Sequence, residues 1–299
     1  MKIFNKYKII IVSLMCISIN GVSQDKIHVI KKIVTKEYSV SEIPDLQIKG
    51  EKSDIFVTGW KNKTIKVEIQ LISKNPVKEK AEKELKYISY SCSKQDNKII
   101  LSNTFISSRN TKISSNLSTK FIIYLPELSN VHIENLYGNI NLNDLSLENQ
   151  IQNSFGEVKI NNVKGLLHLD LHYADIHIAD CNANIICTAD NSDLYFNNVS
   201  KSAEITSNYG KIIFNPGNSL KNLSIKSSRT EITVNVDQFT RYSYSLLTQN
   251  SVLKIHENFT DKIITDNKIT RFDLEVFASN PKINVETSYC PIIINSIKQ

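Results

Sequence analysis

Alanine is scarce in this chain, at 7 of 299 residues. Ala is the strongest helix former, so its scarcity argues against a helical bundle and against an α/β enzyme with Ala-rich crossover helices. Glycine is scarce too: 8 residues leave little material for phosphate-cradling loops. There is no Gly-x-Ser-x-Gly, His-Glu-x-x-His, P-loop or dinucleotide fingerprint. There is no Cys-x-x-Cys, and the spacings of Cys92, Cys181, Cys187 and Cys290 match neither a zinc site nor a dense disulfide framework. No apolar run reaches the ~18 residues of a membrane-spanning helix. What is abundant instead is isoleucine, at 44, and asparagine, at 33. Ile is β-branched and favours strands, whereas Asn favours turns.

The first residues carry an address. Lys2, Lys6 and Lys8 precede an apolar run from Ile9 to Ile19, and small residues follow at Gly21 and Ser23. This order predicts a secretory signal peptide over residues 1–23, cleaved after Ser23, in preference to a hydrophobic first strand. Met15 and the apolar residues beyond Cys16 argue against a lipoprotein signal. The expected location is the periplasm, the cell surface or the medium, with no integral membrane span after cleavage. The formal charge of +6 falls with the leader, leaving 33 basic against 30 acidic residues. So balanced a surface supports no nucleic-acid or membrane-surface partner.

The strongest signal is a repeat of the form aromatic, small, polar, apolar, any, apolar. It runs Tyr137-Gly-Asn-Ile140, Phe155-Gly-Glu-Val158, Tyr173-Ala-Asp-Ile176, Asn191-Ser-Asp-Leu194 and Tyr209-Gly-Lys-Ile212, each 18 residues after the last. Looser copies begin at Arg229, Asn250, Arg271 and Tyr289, at steps of 20, 21, 21 and 18. A second alternating run keeps the same period: Leu167/Leu169/Leu171, Ile185/Cys187/Ala189 and Ala203/Ile205/Ser207. Alternation of period two marks strands with one buried face. A fixed period near 20 built only of strands predicts an all-β fold, a β-helix or solenoid of about 18–21-residue coils. An antiparallel sandwich would not need equal spacing. Ile140, Val158, Ile176, Leu194, Ile212 and Ile232 are expected to stack as one internal ladder. The small residue after the aromatic is expected to turn one corner through positive φ. Asn143, Asn161, Asn197 and Asn215, 18 apart or multiples of it, are expected at the other corner.

The chain before the repeats is read as an N-terminal tail, 24–35, and a capping β-rich subdomain, 36–130, ahead of the solenoid, 131–299. Lys49–Val57 looks like a first copy of the repeated strand. Pro76–Ile88 is the one predicted helix, with Val77, Ala81 and Leu85 on one face. Residues 106–119, rich in Ser and Asn, are expected to form an exposed loop.

The leader, the segment Ser53-Asp-Ile-Phe-Val-Thr-Gly-Trp60, the Lys/Glu-rich helix and the succession of Tyr-Gly-x-Ile-x-Ile units resemble the candidate-adhesin families of domains of unknown function. These are common in the Bacteroidetes and related to head-domain autotransporter adhesins. The resemblance covers roughly residues 36–295 and implies a β-helical solenoid at the cell envelope.

Candidate chemistry is thin. Tyr137, Phe155, Tyr173 and Tyr209 could form a ligand-binding surface for sugar rings, or a corner stack that shields the ladder. The pattern leaves the ring direction open. The aromatic is absent at Asn191, Arg229 and Asn250, which argues against any role needing an unbroken row. Glu157, Asp175 and Asp193 occupy equivalent places and could hold Ca²⁺ or act as an acid/base pair, or could simply be solvated. His168, Asp170 and His172 share an outer face but lack a fourth ligand for zinc. Cys181 and Cys187 fall on apolar positions and read as small hydrophobes. No catalytic residue, metal or cofactor is assigned. The expectation is a non-enzymatic, adhesin-like module that presents its surface to a glycan or an envelope or surface protein. The alternatives are a polysaccharide lyase or hydrolase, or a purely structural envelope element.

Overall fold

A computed structural model describes residues 26–106 and 112–298. The expected leader, 1–23, lies outside the described residues, as does part of the expected loop. The described residues are all-β apart from one short helix and three short stretches of 3₁₀ helix. Its elements are β1 (His28–Ser39), β2 (Asp45–Glu51), β3 (Ser53–Trp60), β4 (Thr64–Asn75), α1 (Lys78–Glu84), β5 (Ile88–Gln95), β6 (Lys98–Phe105) and β7 (Asn116–Pro126). Then follow β8 (Asn130–Leu136), β9 (Ile140–Asn143), β10 (Glu148–Asn161), β11 (Lys164–Ala179) and β12 (Asn182–Gln238), which winds on through several coils. Last come β13 (Ser243–Gln249), β14 (Leu253–Lys254), β15 (Ile264–Asp266), β16 (Ile269–Leu274), β17 (Lys282–Ser288) and β18 (Ile292–Lys298).

The coil of β10 shows how the period works. Residues 148–154 run along one face, and Phe155 turns the corner at φ 61°. Residues 157–161 return along the opposite face, and Asn162 turns back at φ 51°. Ile151 points inward from the first face, Val158 and Ile160 from the second, and Val163 fills the far corner; all are buried. Neighbouring coils pair in parallel at a shift of one repeat. Val158 lies between Ile140 and Ile176, and Ile176 lies beside Leu194. Leu167, Leu169 and Leu171 lie beside Ile185, Cys187 and Ala189. The expected ladder therefore exists, and each member from Ile140 to Ile232 is 0 % exposed. Stacking is what makes a coil stable, because a single coil has nothing to bury its apolar face against.

The corners differ in detail from the sequence reading. The aromatic itself takes the left-handed conformation: φ is 62° at Tyr137, 52° at Tyr173 and 54° at Tyr209. The glycine that follows is needed for contact between coils. A Cβ on Gly156 would overlap the Gly138 carbonyl, and one on Gly210 would overlap that of Ser192. Where Ala174 and Ser192 stand instead, strand pairing skips residues 173–175 and 191–193. There the Ala174 N–H donates to the Ser192 hydroxyl at 3.0 Å. At the other corner the left-handed residue is one position later than expected: Asp144, Asn162, Asp180 and Asn198. These corner residues bond between coils, Asn162 to Asp144 and Asn198 to Asp180 at 2.6 Å each, and from Asn197 onward a second side-chain ladder runs beside them. Asn215 donates to Asn197 (3.3 Å), Asn235 to Asn215 (2.8 Å) and Asn295 to Asn235 (2.9 Å).

Chain order is not coil order at either end. β2 and β3 pair directly with β8 and β9, so Lys49–Val57 is a true coil. The later strands β6 and β7 sit outside β2 and β3. At the far end β17 lies between β12 and β13, and β18 lies between β12 and β14. The last coil in the sequence is thus inserted between two earlier ones. The expected copy at Arg271–Val276 is not a coil: β16 pairs antiparallel with β13 and β15 and closes the end. At the other end β1 and β4 pair antiparallel and cover β7, so residues 28–35, two thirds of the expected tail, are strand. Antiparallel strands at both ends occupy the edges that a parallel solenoid leaves open.

The helix is shorter than expected, beginning at Lys78 and passing into a 3₁₀ turn at Leu85–Tyr87. Asn75 accepts the Val77 N–H through Oδ1 at 2.9 Å, which holds Val77 extended before the helix starts. Only Ala81 of its expected face is fully buried. Strand β7 takes up residues 116–119, the end of the segment expected to be loop.

Candidate functional site

The four ring residues expected at the corners lie on the surface. Tyr137 is 49 % exposed, Phe155 43 %, Tyr173 56 % and Tyr209 47 %. A left-handed corner residue directs its side chain outward, so equivalent corners build a ridge along the stack. Tyr137 stacks on Phe155 at 4.9 Å and 16°, and Phe155 on Tyr173 at 5.3 Å and 5°. The row is interrupted at Asn191 and resumes at Tyr209. Beyond it the Arg229 guanidinium lies 5.3 Å from the Tyr209 ring and 5.1 Å from the Tyr289 ring. Arg229 therefore acts as a flat cationic member of the row, and Tyr289 reaches it because the last coil is inserted there. The sequence signals the rings but not this continuation.

A stacked ring has its face covered by its neighbour. Phe155 has a ring on each face, and Arg229 covers a face of both Tyr209 and Tyr289. Along most of its length the ridge therefore offers ring edges and phenolic hydroxyls, not open faces. Among the described residues no ring or cation lies on the two faces, of Tyr173 and Tyr209, that look onto Asn191.

The three acids beside the corner take up backbone and side-chain bonds. Asp175 accepts the Asp193 N–H at 2.9 Å, as Asn139 accepts that of Glu157 at 2.9 Å and Asp54 that of Asn139 at 3.1 Å. These bonds replace ladder bonds that the corner interrupts. Glu157 also pairs with Lys159 at 2.7 Å and lies 3.5 Å from His177. His172 is 3.4 Å from Asp170 and stands beside Asp190 in the next coil. Among the described residues no group of three or more His, Cys, Asp or Glu side chains is placed to hold a metal ion. Cys181 and Cys187 are buried, and burial pushes their thiols up to about 11 and about 12. None of Cys92, Cys181, Cys187 and Cys290 is bonded to another.

Two further surfaces were not legible in the sequence. A shallow groove of about 550 Å³ lies on the first face among Asp45, Lys49, His132, Glu134, Glu148 and Gln150. His132 bonds Gln150 at 3.0 Å, and Lys49 pairs with Glu134 at 3.3 Å. The His132 bond, then Lys49, holds the Glu134 carboxyl below its usual range. On the second face Trp60 stacks on Tyr124 at 5.5 Å, and Lys120 caps Phe56 at 4.2 Å. Trp60 is oriented by its Nε1–H, which donates to the Thr64 carbonyl at 2.8 Å. Both surfaces combine strands far apart in sequence, so only the register assembles them.

Residues 43–276 match the family described as Toastrack DUF4097. Among solved structures, the chain is similar to a candidate adhesin of Bacteroides fragilis at 13 % identity, over 89 % of this chain and 97 % of that one, with a TM-score of 0.43. It is likewise similar to a candidate adhesin of Parabacteroides merdae at 12 % identity, over 89 % and 95 %, with a TM-score of 0.42. A candidate cell adhesion protein of Clostridium sporogenes shares 14 % identity over 90 % and 100 %, with a TM-score of 0.26. No curated protein matches the chain.

Proposed function

This chain belongs to the Toastrack DUF4097 family, and from that premise we propose that it is a non-enzymatic binding module of the cell envelope whose corner ridge meets the partner. The leader expected at residues 1–23 supports export. The observation that carries the reading is the row Tyr137–Phe155–Tyr173 with Tyr209 beyond it, exposed yet held rigid by stacking and by the coil backbone. Large exposed aromatics carry a solvation penalty that a buried interface recovers, and rigid rings lose little entropy on binding. Because the ring faces are mostly covered, contact is edge-on, which favours a protein partner over stacked sugar rings.

The test is an array bearing glycans and extracellular proteins, probed with the full chain. The comparison is a variant with Tyr137→Asn, Phe155→Asn, Tyr173→Asn and Tyr209→Asn. Asn is chosen because Asn191 occupies the same corner at φ 53°. The variant should keep its circular dichroism and Tm but lose retention at least about tenfold, the effect of ~1.4 kcal/mol. Undiminished retention would remove the ridge from the interface. Cleavage of an acidic polysaccharide, lost on Asp175→Asn and Asp193→Asn, would replace the binding reading with the enzymatic one.

A further inference from the structure

We propose that the break in the ridge at Asn191 is a receptor slot for the guanidinium of an arginine on a partner protein. The proposal rests on the reading of the ridge as the contact surface and names the chemistry it selects. Tyr173 and Tyr209 stand two coils apart, which is about 10 Å along the stack. A flat group midway would lie about 5 Å from each ring, the distance at which rings attract cations. The chain itself shows the arrangement two corners on. Arg229 occupies the equivalent corner between Tyr209 and Tyr289, at 5.3 and 5.1 Å. At Asn191 the described residues supply no such group. The Asn191 amide is instead turned onto its neighbour, donating to Asp190 Oδ2 at 2.9 Å.

Charge selects the occupant. Asp190 flanks the corner on the first face, and Asp175 and Asp193 flank it on the second. His172 stands beside Asp190, and the Lys211 Nζ is turned to the Tyr195 ring at 5.3 Å. A neutral aromatic would fill the space but leave the carboxylates unanswered. A lysine would answer them but could not lie flat between two rings. A guanidinium does both, since it is planar, always charged and weakly hydrated. Among the described residues Lys120 and Lys211 each cap a single ring, Phe56 and Tyr195, whereas the one cation set against two rings is Arg229.

The test titrates the full chain with N-acetyl-arginine amide and N-acetyl-lysine amide, followed by NMR. The arginine compound should shift the resonances of Asn191 and its neighbours and bind about tenfold tighter than the lysine compound. Asn191→Arg should fill the slot from within, abolish that binding and raise Tm. Asn191→Tyr should do the same with a ring, and serves if the Arg variant folds poorly. Equal affinity for the two compounds, or unchanged binding to both variants, would overturn the slot. The result separates from the test of the ridge. Loss of retention in the four-Asn variant without arginine binding removes only the slot, and arginine binding with undiminished retention removes only the ridge.

Discussion

At the residue scale, the corners show how two requirements divide between neighbours. The aromatic accepts a left-handed backbone, a strained choice for a bulky L-residue, because the stack fixes it on both sides. The next residue must let two backbones approach. Gly156→Ala should therefore destabilise the protein by about 1–3 kcal/mol, measured by chemical denaturation, through strain at φ 155° and overlap with Gly138. Ile176→Ala removes a fully buried member of the ladder and should cost about 2–5 kcal/mol in the same assay. Cys181 and Cys187 should resist thiol reagents at neutral pH in the native protein and react on unfolding, because burial holds both thiols protonated.

At the scale of elements, short polar devices hold the irregular parts to the regular ones. Glu84 at the end of α1 accepts the Ser114 N–H at 3.1 Å and the Ser115 N–H at 2.6 Å, fastening the segment that leads into β7. The Ser115 side chain first, then the Ser115 and Ser114 N–H groups, lower its carboxyl from 4.5 to about 2 against the opposing effect of burial. A depressed folded pKa means the contribution is complete above the unfolded value and is lost as pH falls. The fastening should therefore hold at neutral pH and weaken between about pH 5 and pH 2. Glu84→Gln should speed hydrogen exchange at Ser114 and Ser115 at pH 7, and the difference from wild type should narrow toward pH 2. The Asn ladder is a second such device. Asn235 both donates to Asn215 and accepts from Asn295, so it ties the inserted last coil to the body.

At the scale of the whole molecule, the ends decide the stability of the stack. In a solenoid wound in simple order, removing the last coil would shorten it by one layer. Here β17 and β18 lie inside, with β13 and β14 beyond them. Deleting residues 282–299 should therefore strip β13 and β14 of their parallel partners. The whole segment 239–281 should become protease-sensitive, together with the buried cluster of Phe239, Tyr244 and Phe272. Cleavage confined to the new terminus would contradict this order of strands.

The 18-residue spacing by itself determined the solenoid, the ladder from Ile140 to Ile232, the burial of Cys181 and Cys187, and the corner places of the four rings. It could do so because stacked parallel coils bring residues one period apart into contact, so the internal contacts of the repeat region are local to the repeat. The sequence also marked Lys49–Val57 as a copy of the repeated strand, though within a separate cap; its pairing with β8 and β9 makes it a coil of the stack. Other facts depended on which strand lies beside which. These are the inserted last coil, the antiparallel ends, the Arg229 bridge to Tyr289, the groove at His132 and the open faces beside Asn191. Alternation of period two states which face of a strand is buried but not its neighbour, and at the ends the chain leaves and re-enters the stack. There only backbone pairing in three dimensions could decide the order, and with it which ring faces remain uncovered.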